Sequence, residues 1–471
     1  MRRLVLLLSP VALAVALSLA GVLLTGAYTN GVPTADAQTT TRPNFVFILA
    51  DDMRKDDLRY MPKTRSLLGG KGMSFDNAYV SLPVCCPARS TIMRGQYAHN
   101  TGVWINSQWT GYKANGNEQD NVATRLDAAG YRTGLFGKYL NGYDGSTIPP
   151  GWDRWYAHLS QRYYDYDVNV DGRLTHFGTA QSDYSTDVIN RQTQNFIATS
   201  SRPFFAYVAP TAPHGPFNGT VPRHQHDFDG AKAPRPPSFN EQDVSDKPPW
   251  IQSKPRLTTA QIADIDKRQE KRAEALQALD DLVEGVVNKL GAAGVLGNTY
   301  IVFTSDNGYH MGEHRIPDEK AQPYEESVHM PLLIRGPGVQ VGAKTGKLAL
   351  NTDYLPTLTD LAGIQTPAYV DGRSLRPVLE ANATTTWRSA ILLEQRYAVG
   401  SGVSFSGVLA SNGGKYVEYD GGAREFYNLA TDPYELSNAY NATAPPTALA
   451  SRLQTLKSCS GDSCRAAEDG P

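Results

Sequence analysis

The sequence predicts an α/β protein in which a large, mostly parallel β-sheet is sandwiched by helices, and two observations support this. Short apolar runs recur along the chain, at residues 44–50, 131–137, 204–209 and 300–304. Continuous apolar runs of this length suit strands that are buried on both faces, as in parallel sheets. Helical patterns lie between them, and the clearest has apolar residues spaced by three and four from Leu276 to Leu290. Helices alternating with buried strands indicate an α/β domain.

The chain changes character after Leu375, and this change predicts a second domain. Its 471 residues are too many for one small domain. Shorter strand-like runs follow at residues 407–410 and 415–419, and a turn-rich stretch follows at residues 431–435. We therefore expect a signal peptide at residues 1–37, the main α/β domain at residues 38–376, and a smaller α+β domain with an antiparallel sheet at residues 377–471.

The first residues have the pattern of an export signal. Arg2 and Arg3 precede an apolar stretch over residues 4–24, and a small-x-small cleavage site follows at residues 35–37. The alternative is an uncleaved membrane anchor, because the apolar stretch is long for a signal peptide. We expect cleavage near Ala37 and no stable membrane insertion afterwards. The expected location is secreted or extracytoplasmic, including association with the cell envelope.

Charge and cysteine usage narrow the class of protein further. The formal net charge is −2, so no global field favours nucleic acid as a partner. Cys459 and Cys464 lie in a polar C-terminal tail, where an exported protein can close a short disulfide loop. A metal site there is less expected, because no histidine or further cysteine is nearby in the sequence. Cys85 and Cys86 are adjacent, and since bridging neighbours requires strained geometry, we interpret them as two free side chains.

Polar residues capable of chemistry follow each apolar run. They are Asp51, Asp52, Lys138, His214, Asp306 and Asn307. In open α/β sheets, ligands bind at the carboxyl ends of the strands, so these side chains are expected to converge on one site. The pairs Asp51-Asp52 and Asp306-Asn307 supply only oxygen ligands, which favour a hard cation such as Ca²⁺ or Mg²⁺ over zinc.

The segment Cys85-Cys86-Pro87-Ala88-Arg89 resembles the Cys-x-Pro-x-Arg signature of sulfatases. It lies about thirty residues after the first acidic pair and is followed by Gly95 and by residues 99–102. The whole arrangement is similar to the sulfatase family within the alkaline-phosphatase-like superfamily, from Arg42 to about Asn438. The resemblance implies an alkaline-phosphatase-like fold and hydrolysis of sulfate esters.

The resemblance also implies a manufactured nucleophile. A formylglycine-generating enzyme would oxidise Cys85 to 3-oxoalanine (formylglycine), whose aldehyde hydrates to a diol. One hydroxyl attacks the sulfur of a sulfate ester and the alcohol leaves, and the second hydroxyl then expels sulfate from the covalent intermediate and restores the aldehyde. An unmodified thiol has no second hydroxyl for that step.

Further site residues are implied by matching positions in the family. The metal, usually Ca²⁺ with Mg²⁺ as the alternative, would be held by Asp51, Asp52, Cys85, Asp306 and Asn307. Arg89 would hold the modified side chain, Lys138 and Lys320 would bind sulfate, and His214 would protonate the leaving oxygen.

Details of the sequence favour one branch of the sulfatase family and leave more than one class of substrate open. The stretch 137–143, Cys86 and the stretch 308–310 look like the glucosamine-6-sulfatase branch, in which His310 would touch the sulfate or the leaving group. Leu140 stands where many arylsulfatases carry histidine. The substrate is thus expected to be a sulfated sugar or an aryl sulfate. The rivals are a phosphatase or phosphonate monoester hydrolase of the same superfamily, and an inactive sulfatase-like binding protein.

Two features keep both a functional and a structural interpretation. Residues 217–256 are rich in Pro, Asp and Gln, and are either a lid over the site or a plain insertion. An aromatic run within residues 152–166 forms either a wall that stacks on sugars or part of the core.

Overall fold

The computed structural model describes residues 42–381, 386–398 and 402–470. The predicted signal peptide, residues 1–37, lies outside these residues, so its cleavage stays a prediction. Within the described ranges, no helix combines the length and the apolar character needed to cross a membrane.

Strands form from the apolar runs and from shorter segments between them. In chain order they are β1 (Asn44–Ala50), β2 (Met73–Phe75), β3 (Ala78–Tyr79), β4 (Arg132–Lys138), β5 (Arg154–His158), β6 (Tyr166–Val170), β7 (Arg173–Phe177), β8 (Phe204–Ala209), β9 (Thr299–Ser305), β10 (Leu332–Arg335), β11 (Ala343–Thr345), β12 (Ala349–Leu350), β13 (Ala390–Gln395), β14 (Phe405–Ala410), β15 (Gly414–Tyr419) and β16 (Arg424–Asn428).

The main sheet has ten strands in the order β11, β2, β10, β9, β1, β8, β4, β5, β6, β7. Strands β9, β1, β8, β4 and β5 in the middle are parallel, whereas β10, β6 and β7 pair antiparallel towards the sides. The four apolar runs are therefore four adjacent central strands, and the predicted mostly parallel sheet is confirmed. Ala50 pairs with Ser305, and Gly137 pairs with Ala209, so the carboxyl ends of these strands lie side by side.

Helices occupy the segments between the strands. They are α1 (Pro62–Thr64), α2 (Cys85–Arg94), α3 (Ala98–Thr101), α4 (Trp109–Ala114), α5 (Val122–Ala128), α6 (Ser185–Ala198), α7 (Pro249–Gln252), α8 (Thr259–Ala292), α9 (Glu325–Val328), α10 (Tyr354–Leu361), α11 (Arg376–Leu379), α12 (Thr447–Leu456) and α13 (Asp462–Asp469). Short 3-10 turns occur at Lys55–Tyr60, Gln181–Asp183, Pro222–His224, Leu296–Asn298 and Asn351–Asp353, and Arg65–Gly69 is a turn of π-helix.

Side chains of β1 alternate between two helical layers. Phe45 and Phe47 belong to an apolar cluster with α2, α5 and α10, whereas Val46 and Ile48 belong to a second cluster with α6 and α8. This alternation follows from the period of two along a strand. The helices therefore cover both faces of the sheet, as the sequence predicts.

The longest helix, α8, begins earlier than its apolar stripe. The Thr258 hydroxyl accepts a hydrogen bond from the Gln261 backbone N–H, and the Gln261 side chain accepts one from the Thr258 N–H at 2.9 Å. This capping box satisfies backbone groups at the helix start. The polar first half of α8 consequently extends to the edge of the site.

The chain after residue 386 forms a separate antiparallel sheet in the order β13, β14, β15, β16. Helices α12 and α13 pack against it, and a disulfide bond joins Cys459 to Cys464 between them. The predicted antiparallel sheet is thus confirmed, while the domain boundary at residues 376 and 377 stays a prediction.

The aromatic run at residues 152–166 is largely core. Trp155, Tyr156, Tyr163 and Tyr166 are each at most 1% exposed. They stack on neighbouring aromatic rings, for example Tyr166 on Phe177 at 5.3 Å between ring centroids. The structural interpretation of this run, rather than a wall for sugars, is the one that the burial supports.

Candidate active site

An Asp-Asp pair at the end of β1 meets an Asp-Asn pair at the end of β9. Asp51, Asp52, Asp306 and Asn307 are at most 2% exposed. The Asp52 backbone N–H donates to Asp306 Oδ1 at 3.1 Å, and Asn307 Nδ2 donates to Asp52 Oδ1 at 2.6 Å. Asp52 has φ 62°, a left-handed conformation in which Asp is tolerated better than most residues. The strand register and this turn bring three carboxylates together.

Cys85 is the first residue of α2, and its fully buried thiol faces the acidic pairs. Its Sγ lies 3.5 Å from Asp51 Oδ1 and 3.8 Å from Asp52 Oδ1. Lys320 Nζ lies 3.0 Å from the same sulfur. The N-terminal turn of a helix favours negative charge, so this position suits a group that handles an anion. The neighbouring Cys86 is directed elsewhere, with its Sγ 3.7 Å from a backbone carbonyl.

Arg89 lies one turn further along α2 and joins the two strand ends. Its Nε donates to Asp306 Oδ2 at 2.8 Å, and its Nη2 lies 3.7 Å from Asp51 Oδ2. Its Nη1 donates to the Lys138 carbonyl at 3.0 Å. The i, i+4 spacing from Cys85 to Arg89 places both side chains on one face of the helix. The guanidinium therefore holds the carboxylates beneath the thiol.

Two lysines and a histidine complete the group. Lys138, the last residue of β4, donates to Asp51 Oδ2 at 2.6 Å. Lys320 donates to Asp52 Oδ1 as well as approaching the thiol. His214 Nε2 lies 3.5 Å from Asp52 Oδ2, and its side chain keeps 20% exposure. His214 can thus meet a substrate while touching the buried acids.

The charges in the group shift its pKa values in opposite directions. Burial would raise the pKa of Asp51, but Lys138, His214 and Arg89 outweigh it and hold that pKa well below its usual range. Burial and the Asp51 carboxylate raise the pKa of Asp306. Burial also raises the pKa of the Cys85 thiol far above its usual value, although Lys138 and Lys320 oppose this. The burial of Cys85 therefore favours its neutral thiol over the thiolate.

The donor set fits a hard divalent cation. Asp51, Asp52, Cys85 and His214 each offer a ligand atom, all within 4.8 Å of one another. Asn307 Oδ1 is buried and has no hydrogen-bond partner among the described residues. A buried amide oxygen without a partner is costly unless a cation or donor meets it. Carboxylate and amide oxygens are the ligands that Ca²⁺ and Mg²⁺ prefer.

A cavity of about 560 Å³ opens above these residues. Asp52, His214 and Lys320 form its floor, and the remaining walls come from Phe217, Arg268, Arg272, Tyr309, Asp318 and Glu319, with Gly215 and Pro216. Phe217 belongs to the 217–256 excursion, so part of that excursion borders the site. The lid hypothesis stays a prediction.

Arg272 is a site residue that the sequence reasoning missed. It is 2% exposed, and its Nη2 donates to the Asp52 carbonyl and to Asp57 Oδ2, both at 2.7 Å. It lies four residues before Leu276, on the same face as the apolar stripe of α8. An arginine on a buried stripe is the signal that could have revealed it, because buried arginines need partners.

His310 lies outside the connected group of active-site residues, which consists of Asp51, Asp52, Cys85, Arg89, Lys138, His214, Asp306, Asn307 and Lys320. Its ring is fully buried, is not among the cavity-lining residues, and has His314 and Tyr324 as aromatic neighbours at 6.5 and 6.1 Å. Its backbone N–H donates to the Glu319 carbonyl at 2.7 Å, directly before Lys320. The observed contact of His310 is therefore with the backbone of the loop that carries Lys320, and its predicted contact with sulfate stays a prediction.

Family models match most of the described chain. Residues 43–364 match the sulfatase family, and residues 312–458 match the C-terminal region of N-sulphoglucosamine sulphohydrolase. The first match covers more than half of the chain and includes every residue of the connected group.

Relatives in sequence carry sulfatase names. The chain is 34% identical over 484 residues to the N-acetylglucosamine-6-sulfatase of Homo sapiens, covering 91% of this chain and 87% of that protein. It is 38% identical over 376 residues to the extracellular sulfatase SULF-1 homolog of Drosophila melanogaster, covering 75% of this chain. That match spans 33% of the Drosophila protein, so the chain corresponds to about a third of its length.

Solved structures share the fold. The structure of BT4656 in complex with its substrate D-glucosamine-2-N,6-O-disulfate has a TM-score of 0.75 at 23% identity, covering 91% of this chain and 99% of that one. The phosphonate monoester hydrolase of Agrobacterium radiobacter has a TM-score of 0.70 at 22% identity, covering 90% and 96%. At these identities, the likeness concerns the fold. Together, the family match and the sequence relatives show that this chain belongs to the sulfatase family and is a sulfuric ester hydrolase.

Proposed function

We propose that this protein is an extracytoplasmic sulfatase that removes a sulfate monoester from a sulfated saccharide, using a nucleophile made from Cys85 and a divalent metal. One observation carries the proposal. The Cys85 sulfur lies at the N-terminus of α2, 3.0 Å from the Lys320 ammonium and 3.5 Å from an Asp51 carboxylate oxygen. A nucleophile there has both a metal-binding group and a sulfate-binding cation within reach.

The burial of the Cys85 thiol supports a nucleophile other than the unmodified cysteine. Burial raises the pKa of Cys85, which disfavours the thiolate that a cysteine nucleophile requires. Oxidation by a formylglycine-generating enzyme would supply, after hydration of the aldehyde, one hydroxyl for attack on sulfur and a second for release of sulfate. Cys86 does not offer an alternative, because its sulfur faces a backbone carbonyl.

The acidic pairs would hold the metal. The carboxylates of Asp51, Asp52 and Asp306 and the free Oδ1 of Asn307 are the proposed protein ligands, together with the modified Cys85. The ion, Ca²⁺ or Mg²⁺, would supply positive charge next to the nucleophile and the sulfate. Arg89 orients two of these carboxylates from below through its contacts with Asp306 and Asp51.

The cations around the thiol would bind the sulfate group. Lys138 and Lys320 are both held beside the sulfur by buried carboxylates, so their ammonium groups are fixed before substrate arrives. Preorganised cations of this kind stabilise negative charge that develops on the transferred group. His214 borders the cavity with partial exposure, and its ring is the proposed donor of a proton to the leaving oxygen.

The proposal of a saccharide substrate is based on the residues that line the cavity and on the names of the relatives. The walls carry guanidinium, carboxylate and phenol groups from Arg268, Asp318 and Tyr309, which can hydrogen-bond to sugar hydroxyls. Several relatives are named as N-acetylglucosamine-6-sulfatases. A 6-sulfated glucosamine is therefore the proposed substrate class, and an aryl sulfate, which Phe217 and Tyr309 could also accommodate, is the alternative.

Kinetics on matched substrates test the proposal. We expect kcat/KM to be highest for glucosamine 6-sulfates among positional isomers of sulfated glucosamine. With aryl esters, p-nitrophenyl sulfate should be hydrolysed more efficiently than p-nitrophenyl phosphate. A higher kcat/KM on the phosphate would replace the proposal with a phosphatase or phosphonate hydrolase, which the shared fold of the Agrobacterium enzyme makes the natural alternative.

A further inference from the structure

Away from the active site, the structure contains a second group of metal-ligating side chains, two buried and one half-buried, and we propose that it binds a Zn²⁺ ion whose fourth position is left to water. Its members are His314, Glu326 and Glu435, each offering one ligand atom within 4.8 Å of the others. They come from three separate segments, namely the loop after β9, helix α9 and the turn after β16. Such an ion would join the loop that carries Lys320 to the C-terminal sheet.

His314 is oriented as a ligand. Its Nδ1 lies 2.8 Å from Glu241 Oε2, while its Nε2 is buried and has no hydrogen-bond partner in the described part of the chain. A carboxylate that accepts from Nδ1–H leaves the lone pair of Nε2 available, and metal-binding histidines are commonly fixed in this way. The ring is fully buried and stacks on Tyr324 with 4.2 Å between centroids.

The two glutamates supply negative charge that the surroundings only partly balance. Glu326 Oε2 is buried without a hydrogen-bond partner within the described ranges. Glu435 Oε1 lies 2.8 Å from Lys415 Nζ, and its Oε2 accepts from the Glu325 backbone N–H at 2.9 Å. A carboxylate oxygen has a second lone pair, so these contacts leave room for a metal. Glu326 is half-buried and shares its cleft with Arg54, so its carboxylate is partly compensated and can still accept a further cation.

The ligand types select the ion. One imidazole nitrogen and two carboxylate oxygens suit Zn²⁺ better than Ca²⁺, which takes oxygen ligands in larger number. Zinc bonds of about 2.0–2.1 Å put tetrahedral ligand atoms about 3.4 Å apart, so ligand atoms that lie within 4.8 Å of one another would draw closer on binding. Glu326 also lines an open cleft of about 590 Å³ together with Arg54 and Tyr434, which gives an ion a route to the site.

Metal content of the full-length protein tests the proposal. Chelator-stripped protein is equilibrated with Zn²⁺ and Ca²⁺, and bound metals are counted by inductively coupled plasma mass spectrometry. Wild type should hold one more zinc ion per chain than His314→Gln. The variant Asp306→Asn, which alters the active-site acids, should keep this zinc ion. The exposed His226→Gln is the matched control and should equal wild type. If His314→Gln retains all zinc, or if all zinc disappears in Asp306→Asn, the proposal is overturned.

A measurement on wild type alone guards against a variant that fails to fold. Crystals grown with Zn²⁺ should show an anomalous peak at the zinc edge within bonding distance of His314 Nε2 and both glutamates. Chelation should also lower the melting temperature of wild type. Absence of the peak would overturn the proposal, and would indicate that His314 carries a proton and pairs with the glutamates instead.

Discussion

His158 should make the stability of this protein depend on pH. It is the last residue of β5, its ring stacks on Tyr166 at 4.7 Å between centroids, and neither ring nitrogen has a hydrogen-bond partner among the described residues. Burial lowers the pKa of His158 from its usual 6.5 to about 3. The folded protein therefore keeps this ring neutral, whereas the unfolded chain protonates it in mild acid.

The size of the effect follows from that shift. Because the folded-state pKa is depressed, the stabilisation is complete above the unfolded pKa of 6.5 and is lost as pH falls towards about 3. Each unit of pH within this window costs about 1.4 kcal/mol, so lowering the pH to about 5 removes about 2 kcal/mol. The full shift corresponds to about 5 kcal/mol.

Urea unfolding at neutral pH and at about pH 5 measures this contribution. Other groups titrate equally in wild type and in His158→Gln, so the difference between the two proteins isolates the histidine. Wild type should lose about 2 kcal/mol more than His158→Gln on acidification. His176→Gln, at a ring that is 58% exposed, should behave as wild type. Equal losses in wild type and His158→Gln would show that His158 does not cause the acid sensitivity.

Three further substitutions test the site and the packing. Lys320→Met should lower kcat/KM on the sulfate ester by about 100-fold or more, because its ammonium lies 3.0 Å from the proposed nucleophile, while the exposed Lys344→Met should have no effect. Cys86→Ser should leave kcat/KM within a few-fold of wild type, since its thiol faces a backbone carbonyl, and a loss as large as that of Lys320→Met would contradict this. Arg388→Met should lower the free energy of unfolding by about 3–5 kcal/mol, measured with denaturant, because it leaves the buried Asp353 carboxylate without its cation. An unchanged unfolding midpoint would show that the pair contributes little.

The centre of the fold could be predicted because its strands are buried on both faces. Continuous apolar runs mark β1, β4, β8 and β9, which are neighbours in the sheet. The side strands were not identifiable, since β2 and β11 have three residues each and depend on pairing with distant segments. Whether these short segments form strands depends on their pairing with distant segments, which their composition does not reveal.

The site was predictable where a residue follows a strand or belongs to the signature. Asp51, Lys138 and Asp306 are examples, and the register of the sheet brings them together. Arg272 was missed because it comes from the middle of a long helix, where only its place on an apolar stripe distinguishes it. His310 was expected near the sulfate from the resemblance of residues 308–310 to one branch of the family; its ring lies beside Tyr324, and its contact with sulfate stays a prediction.

Mass spectrometry of the peptide that contains Cys85, from an enzymatically active preparation, shows whether this cysteine is the precursor of the nucleophile. We predict 3-oxoalanine at position 85 and cysteine at position 86, with sulfatase activity rising in proportion to the modified fraction. Cys85→Ala, which keeps the rest of the site, should be folded and inactive. An active enzyme whose peptide carries only unmodified cysteine at position 85 would contradict the account.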